Sequence, residues 1–363
     1  MIQKIAFIAG TLGQGGAEKQ LFHLLRALRD DGTSLHLLSL TRGEYWEDPI
    51  RELDIPVTWV GQSPARLVRL RRIISALRNI APHLIQSQHF YTNLYAALAG
   101  RLLRIPSVGA IRNDLFSELQ HSGRMLGPLS LRLPTWLVAN SEAAIANARQ
   151  LGVAAHRLAL LANAIEVGAP ITRLPVDQPA RLRLATAGRL VRQKRHDRFI
   201  RLIAALGAQT EAPVEAALYG SGPLRFELEE QAQQLGLRSP RFAFRGLISD
   251  PRQIYAATDI FVLTSDWEGS PNVILEAMAA GLPVVTTRVG DLATLINHGI
   301  NGFCHAPDDE SGMVDSIIQL LASPQRRSQM GNQARATIDA HYSPGQYRRR
   351  VADLYQQLGS ATP

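Results

Sequence analysis

The sequence predicts an α/β protein built from two doubly wound domains, each a parallel sheet flanked by helices. Short β-branched or aliphatic runs alternate with amphipathic stretches of helical length along most of the chain. At 363 residues the chain is longer than one compact core usually serves. Residues 166–181, EVGAPITRLPVDQPAR, hold three prolines and no sustained periodicity, and the alternation restarts after them. The expected boundaries are a first domain at 1–168, a linker at 169–181 and a second domain at 182–343. A terminal segment at 344–363 follows, its helix at 345–358 free to return to the first domain.

In the first half the strands are expected at 4–9, 34–40, 57–60, 84–87, 107–111, 136–139 and 158–161. Between them the 3.6-residue period places helices at 17–29, 65–79, 94–103 and 142–151. In the second half strands fall at 182–187, 215–219, 242–244, 260–263 and 283–286, with helices at 195–206, 224–235, 272–280 and 292–297. Parallel sheets of this kind bind ligands at the carboxyl ends of their strands, so substrates are expected in a cleft between the domains.

Composition removes several classes. With Cys304 as the single cysteine there is neither an intramolecular disulfide nor a site of several thiolates, which suits a reducing, cytoplasmic setting. The start MIQKIAFIAG lacks the charged region, apolar stretch and cleavage site of a signal peptide, and apolar runs stay below the about 18 residues of a membrane span. A formal charge of +8 asks for an anionic partner: nucleic acid, lipid surface or phosphorylated substrate. Few aromatics interleave with the arginines and no nucleic-acid module is recognisable, so nucleic acid is not expected.

Three loops carry the chemistry. In EGSPNVILEAMAAGLPVV, residues 268–285, Glu268 and Glu276 flank Gly269, Ser270, Pro271, Asn272 and Val273. Ser270 is expected to cap a helix and Pro271 to take its first position, leaving the amides of Asn272, Val273 and Ile274 to face a diphosphate. Glu268 can reach a sugar hydroxyl and Glu276 can accept bonds from ribose hydroxyls. In AGRLVRQKRHD, Gly188 and Arg189 follow the first strand of the second domain and Lys194 lies five residues beyond Arg189. Two cations on one loop can clamp both phosphates of a leaving group without a metal. In GTLGQGGAEKQL, residues 10–21, Gly15 and Gly16 let backbone approach a ligand and Glu18 opens the next helix. Its spacing departs from G-x-G-x-x-G, which argues against a nicotinamide enzyme. Singly these loops read as a capped helix, a solvated basic face and an ordinary glycine turn.

Together they resemble the retaining family 4 glycosyltransferases of GT-B fold. The first stretch is similar to that family's E-x7-E signature, the second to its GR-x4-K and the third to its GGAE loop. Weaker matches run through ANSEA at 139–143, YGSGPL at 219–224, Phe244 and Gly246, and HGINGF at 298–303. The resemblance implies that Glu276 holds the nucleotide ribose, Glu268 the donor sugar, and Arg189 with Lys194 the diphosphate. It also implies a nucleotide-sugar substrate, most often uridine-linked, with no cofactor and no metal, transfer with retention, and a glycan or lipid-linked acceptor. The alternatives are another enzyme of the same fold, such as a sugar-nucleotide epimerase, or a non-enzymatic nucleic-acid-binding protein. Where the family often carries a histidine near the reacting sugar this chain has Arg112, which keeps a positive charge but cannot shuttle protons. The nearest histidine is His89, and with Glu18 these are the candidate acceptor or sugar contacts. Helix 65–79 adds Arg66, Arg69, Arg71, Arg72 and Arg78 beside a stripe of Leu67, Leu70, Ile74 and Leu77, a pattern suited either to packing on the sheet or to docking on an anionic membrane at its inner face.

Overall fold

The computed structural model describes residues 2–166, 181–210, 212–248 and 250–360, so of the expected linker only Arg181 is covered. The chain divides into two compact units, one running to Ala164 and joined by Gly345–Pro363, the other Ile165–Pro344.

The first unit holds β1 (Lys4–Ala9), β2 (Ser34–Ser39), β3 (Val57–Trp59), β4 (Leu84–Ser87), β5 (Ser107–Ile111), β6 (Trp136–Ala139) and β7 (Leu158–Leu160). They form one sheet in the order β3-β2-β1-β4-β5-β6-β7, parallel throughout. A strand covered on both faces must be apolar on both, and Ile5, Ala6, Phe7, Ile8 and Ala9 are all fully buried. The order reverses between β1 and β4, so the loops after these two strands diverge and open a crevice at their carboxyl ends. Helix Pro344–Ser360 places Tyr347, Val351, Leu354, Tyr355 and Leu358 in the same core as Ile5, Phe7, Leu24 and Val108. At about 1.5–3 kcal/mol for each large apolar side chain removed from water, this helix contributes much of the unit's stability.

The second unit holds β8 (Leu182–Ala187), β9 (Val214–Tyr219), β10 (Phe242–Gly246), β11 (Ile260–Leu263), β12 (Val284–Thr287) and β13 (Phe303–His305), in the order β10-β9-β8-β11-β12-β13. All pairs are again parallel, and the reversal lies between β8 and β11. One strand and three α-helices here go beyond those expected from the sequence: β13 and the helices Glu310–Ala322, Pro324–His341 and Arg252–Ala256. The first helix carries a signal, since Asp309 caps it by accepting from the Gly312 amide at 2.9 Å. The second is polar almost all round, with only Met330, Gly331, Ala334 and Ile338 buried, and β13 is too short for alternation to register.

Helix Arg66–Ile80 packs on the first sheet through Ile73 and Leu77, with Leu70 and Ile74 partly covered. Leu67 leaves the stripe, 72% exposed. Among the described residues no helix is long and apolar enough to cross a membrane.

Candidate active site

In the second unit the loops after β8 and β11 meet because those strands are neighbours in the sheet. Lys194, in the short 3-10 turn Arg192–Lys194, places Nζ 2.5 Å from Oε1 of Glu268, which also accepts from Ser265 Oγ at 2.6 Å. Both bonds fall on Oε1, so Oε2 is the oxygen left to receive a hydroxyl. The Glu268 side chain is 7% exposed and that of Lys194 15%, so neither charge is well served by water and each depends on the other. Gly188 lies alongside the Lys194 methylenes. Arg189 is exposed, with no ion pair among the described residues, and is free to turn to an anion. The loop owes its place to close backbone contact: Gly220 stands at φ 133°, and a β-carbon there would come within 1.9 Å of the Gly188 oxygen.

A second layer of charge ties the two loops. The Arg195 guanidinium bonds both oxygens of Asp266 at 3.1 and 3.0 Å and also grips Asp197, which stabilises its left-handed backbone at φ 46°. Arg198, buried, donates to the Thr264 oxygen at 2.5 Å and to Asp266 at 3.0 Å. The Asp266 amide bonds Gln193 O, and Gln193 Nε2 bonds Trp267 O. Burial works to raise the Asp197 carboxyl, but bonds from Arg195 and Arg201 override it and bring the carboxyl down to about 2.

His196 sits behind this loop, 3% exposed, its Nε2 3.2 Å from the Arg189 oxygen. Burial, reinforced by the charge of Lys194, pushes its pKa down from 6.5 to about 4, so the ring is neutral and Nε2 carries the proton. The folded value lies below the unfolded one, so the contribution is complete above pH 6.5 and drains away as pH falls towards 4. The expected loss over that window is about 3 kcal/mol. Denaturant midpoints measured between about pH 7 and pH 5 should fall in the wild type and much less in His196→Gln. Equal slopes in the two proteins would count against a buried neutral ring.

The helix Asn272–Ala279 starts where its period places it and ends one residue before the expected 280, but its cap differs from the expected one. Pro271, not Ser270, is the N-cap, and its carbonyl accepts from the Ile274 amide at 3.1 Å, so that amide is not free as expected. Proline ends the preceding extended segment at ψ 112°, and its carbonyl closes the first turn in place of a serine hydroxyl. Ser270 is buried, while Asn272 and Val273 are half-buried at the helix start. Gly281 follows the helix in the left-handed region at φ 73°, a conformation that closes a helix. The Gly269 oxygen accepts from the Asp291 amide at 3.0 Å. Glu276 has a partner that no motif announced: Tyr255 donates its hydroxyl to Oε2 at 2.7 Å. Burial, then the Glu276 charge, hold the Tyr255 hydroxyl well above the ordinary range, so it keeps the proton it donates. The only sequence signal for Tyr255 is an aromatic in a short amphipathic helix, which core packing explains equally well.

In the first unit the loops after β1 and β4 bring Glu18 and His89 together, Oε1 and Nε2 lying 3.0 Å apart. The Gly10 amide donates to His89 Nδ1 at 3.1 Å, which places the ring proton on Nε2, facing Glu18. Gly15 caps the helix Gly16–Asp30, and the Glu18 carboxylate folds back against it. Arg112 stands just past β5, its carbonyl held by Asn140 Nδ2 at 3.1 Å, on the side of Tyr347 and Tyr355.

Residues 14–168 match the family model described as Glycosyltransferase Family 4, and residues 178–337 the one described as Glycosyl transferases group 1. The chain is 32% identical over 189 residues to the lipopolysaccharide core biosynthesis glycosyltransferase LpsE of Rhizobium meliloti (strain 1021), covering 52% of each protein. It is 32% identical over 186 residues to the lipopolysaccharide core biosynthesis mannosyltransferase LpsB of the same organism, covering 50% of this chain and 53% of that protein. The chain thus spans about half the length of these curated relatives. Among solved structures it is similar to HepE of Anabaena in complex with UDP and glucose, with a TM-score of 0.85 at 22% identity over 98% of this chain and 100% of that one. Sucrose-phosphate synthase from Thermosynechococcus elongatus gives a TM-score of 0.79 at 20% identity over 99% and 100%. The shared fold is GT-B, two units each with a Rossmann-like parallel sheet.

Proposed function

Because this chain belongs to the glycosyltransferases of the GT-B type, we propose that it moves a hexose from a uridine diphosphate donor to a glycan or lipid-linked acceptor of a cell-surface polysaccharide or lipopolysaccharide, with retention of configuration. The observation that carries the reading is the Lys194–Glu268 pair beside the helix that bears Glu276. The domain at 182–343 takes the donor: Glu276, aimed by Tyr255, accepts from the ribose; Glu268 accepts a sugar hydroxyl through Oε2; the helix start and Arg189 meet the diphosphate. As the bond from the anomeric carbon to the diphosphate breaks, charge grows on the departing oxygen, and Arg189 with Lys194 stabilises it in place of a metal. The acceptor oxygen bonds the same carbon from the same face and gives its proton to the departing phosphate oxygen. The domain at 1–168 presents the acceptor, with Glu18 and His89 beside it. The names of the curated relatives support the pathway, and the UDP and glucose bound by HepE support the donor.

The test is calorimetric titration of UDP and UDP-glucose. Glu276→Ala is expected to weaken UDP by about 10- to 100-fold, the cost of a hydrogen bond to a charged group. Tyr255→Phe should weaken it about 3- to 10-fold with turnover at saturation little changed, since the carboxylate remains but is no longer aimed. Binding of UDP that is indifferent to both changes would remove the basis of this reading.

For the membrane, one observation stands out: Leu67 and Val68 are exposed beside Arg66, Arg71 and Arg72. We infer that this end of the helix touches anionic lipid on the cytoplasmic face. Vesicles rich in phosphatidylglycerol should co-sediment the protein at low salt and retain much less of Leu67→Asp. Equal recovery of both proteins would eliminate the idea.

A further inference from the structure

Among the buried side-chain atoms of the first unit that lack a hydrogen-bond partner within the described residues are Gln86 Nε2, Gln88 Oε1, Arg112 Nε and Asn140 Oδ1. Gln86, Gln88 and Asn140 are each 4% exposed or less. They share one face. Leu84, Val108, Trp136 and Val138 of β4, β5 and β6 pack in the core that holds Tyr347 and Tyr355. Side chains alternate along a strand, so residues an even number further on, Gln86 and Gln88, Arg112, and Asn140, follow on that side at the carboxyl edge. Each neutral member is anchored by one bond and keeps one atom to offer. Gln86 Oε1 accepts from the Tyr355 hydroxyl, Gln88 Nε2 donates to Ala17 O at 2.6 Å, and Asn140 Nδ2 donates to Arg112 O.

Arg112 is the odd member. A guanidinium stays charged at any pH a folded protein meets, yet this one has no ion pair and no side-chain hydrogen bond among the described residues. Its Nε is shut off from solvent and has no acceptor among the described residues, and a buried donor left unmet costs stability. The side chain as a whole is half-buried rather than buried, so a ligand can reach it.

We propose that these residues form a subsite for an acidic sugar. The guanidinium edge of Nε and one Nη pairs side-on with a carboxylate or phosphate. Gln86 Nε2 donates to the same group, while Gln88 Oε1 and Asn140 Oδ1 accept from neighbouring hydroxyls. The proposal rests on the sugar-transfer reading and narrows its substrate: the sugar that the first unit receives carries an acid group.

Titration of the full chain separates a donor sugar from an acceptor. One arm compares UDP-glucuronate with UDP-glucose; the other compares glucuronate and glucose 6-phosphate with glucose in saturating UDP. In one arm the acid should bind about 10- to 100-fold more tightly than its neutral counterpart. Arg112→Gln should abolish that preference and Arg112→Lys keep part of it. Without ligand, Arg112→Gln should unfold at a higher temperature than the wild type, because the unmet buried Nε donor has gone, whereas loss of a merely structural residue would lower it. If the acids bind no better than the neutral sugars in both arms, or Arg112→Gln leaves their preference intact, water serves these atoms and the subsite is refuted. UDP binding with both acid arms failing would remove the subsite and leave sugar transfer standing. Arg112-dependent binding of free sugar acids without any UDP binding would do the reverse.

Discussion

Lys194→Ala is expected to lower kcat/KM by about 10³-fold, near the upper end of what one electrostatic group contributes to a developing anion. Its effect should also reach the fold. The change leaves the Glu268 carboxylate buried with Ser265 as its one remaining partner. Breaking a buried pair from one side costs about 3–5 kcal/mol, or very roughly 10 °C of melting temperature in a unit of this size. The two effects can be separated. The double change Lys194→Met with Glu268→Gln removes both charges together, and should recover most of the stability while activity stays lost. If Lys194→Ala kept wild-type turnover at saturating donor, the pair would be a structural clamp and the charge on the leaving group would have to be met elsewhere.

Gly290→Ala is expected to be nearly as damaging, from a position that touches no substrate in this reading. Gly290 stands at φ 53°, and a β-carbon there would lie 2.2 Å from the Gly269 oxygen and 2.5 Å from the Glu268 oxygen. Both are backbone atoms, so no side-chain rotation relieves the overlap and the loop itself must move. Strain and displacement together should cost about 3–4 kcal/mol. A shift of about 1 Å at Glu268 should reduce kcat/KM about 10²-fold. Gly299 provides the control, since it has φ 83° and a β-carbon added there would meet nothing within 4 Å. Its change to alanine should cost only about 1 kcal/mol of backbone strain and leave activity alone. Equal losses at the two glycines in chemical denaturation would show that backbone conformation, not contact with the Glu268 loop, explains Gly290.

Much of the fold was legible because a parallel sheet leaves a strong trace in one dimension. The run KIAFIA needs no partner to be recognised as a buried strand, and β4, β5, β6, β8 and β11 lie where their apolar runs and flanking turns put them. The three loops that gather the candidate residues were equally legible, since glycines, cations and carboxylates at strand ends are local features. Less visible were elements whose residues carry no period, such as helix Pro324–His341, and helix caps that depend on a carbonyl, as at Pro271.

By itself, then, the sequence determined the α/β alternation, the two cores and the list of residues that could meet a nucleotide sugar, because hydrophobic period and loop chemistry are written in neighbouring positions. Only the tertiary structure decided which of those residues are partners. Lys194 and Glu268 are 74 positions apart, Glu18 and His89 71, Tyr255 and Glu276 21. Each of the first two pairs exists because two strands distant in sequence lie side by side at a reversal of strand order. The third exists because one buried hydroxyl found the carboxylate its environment required. Buried polar groups must be satisfied, but chain order does not say by whom.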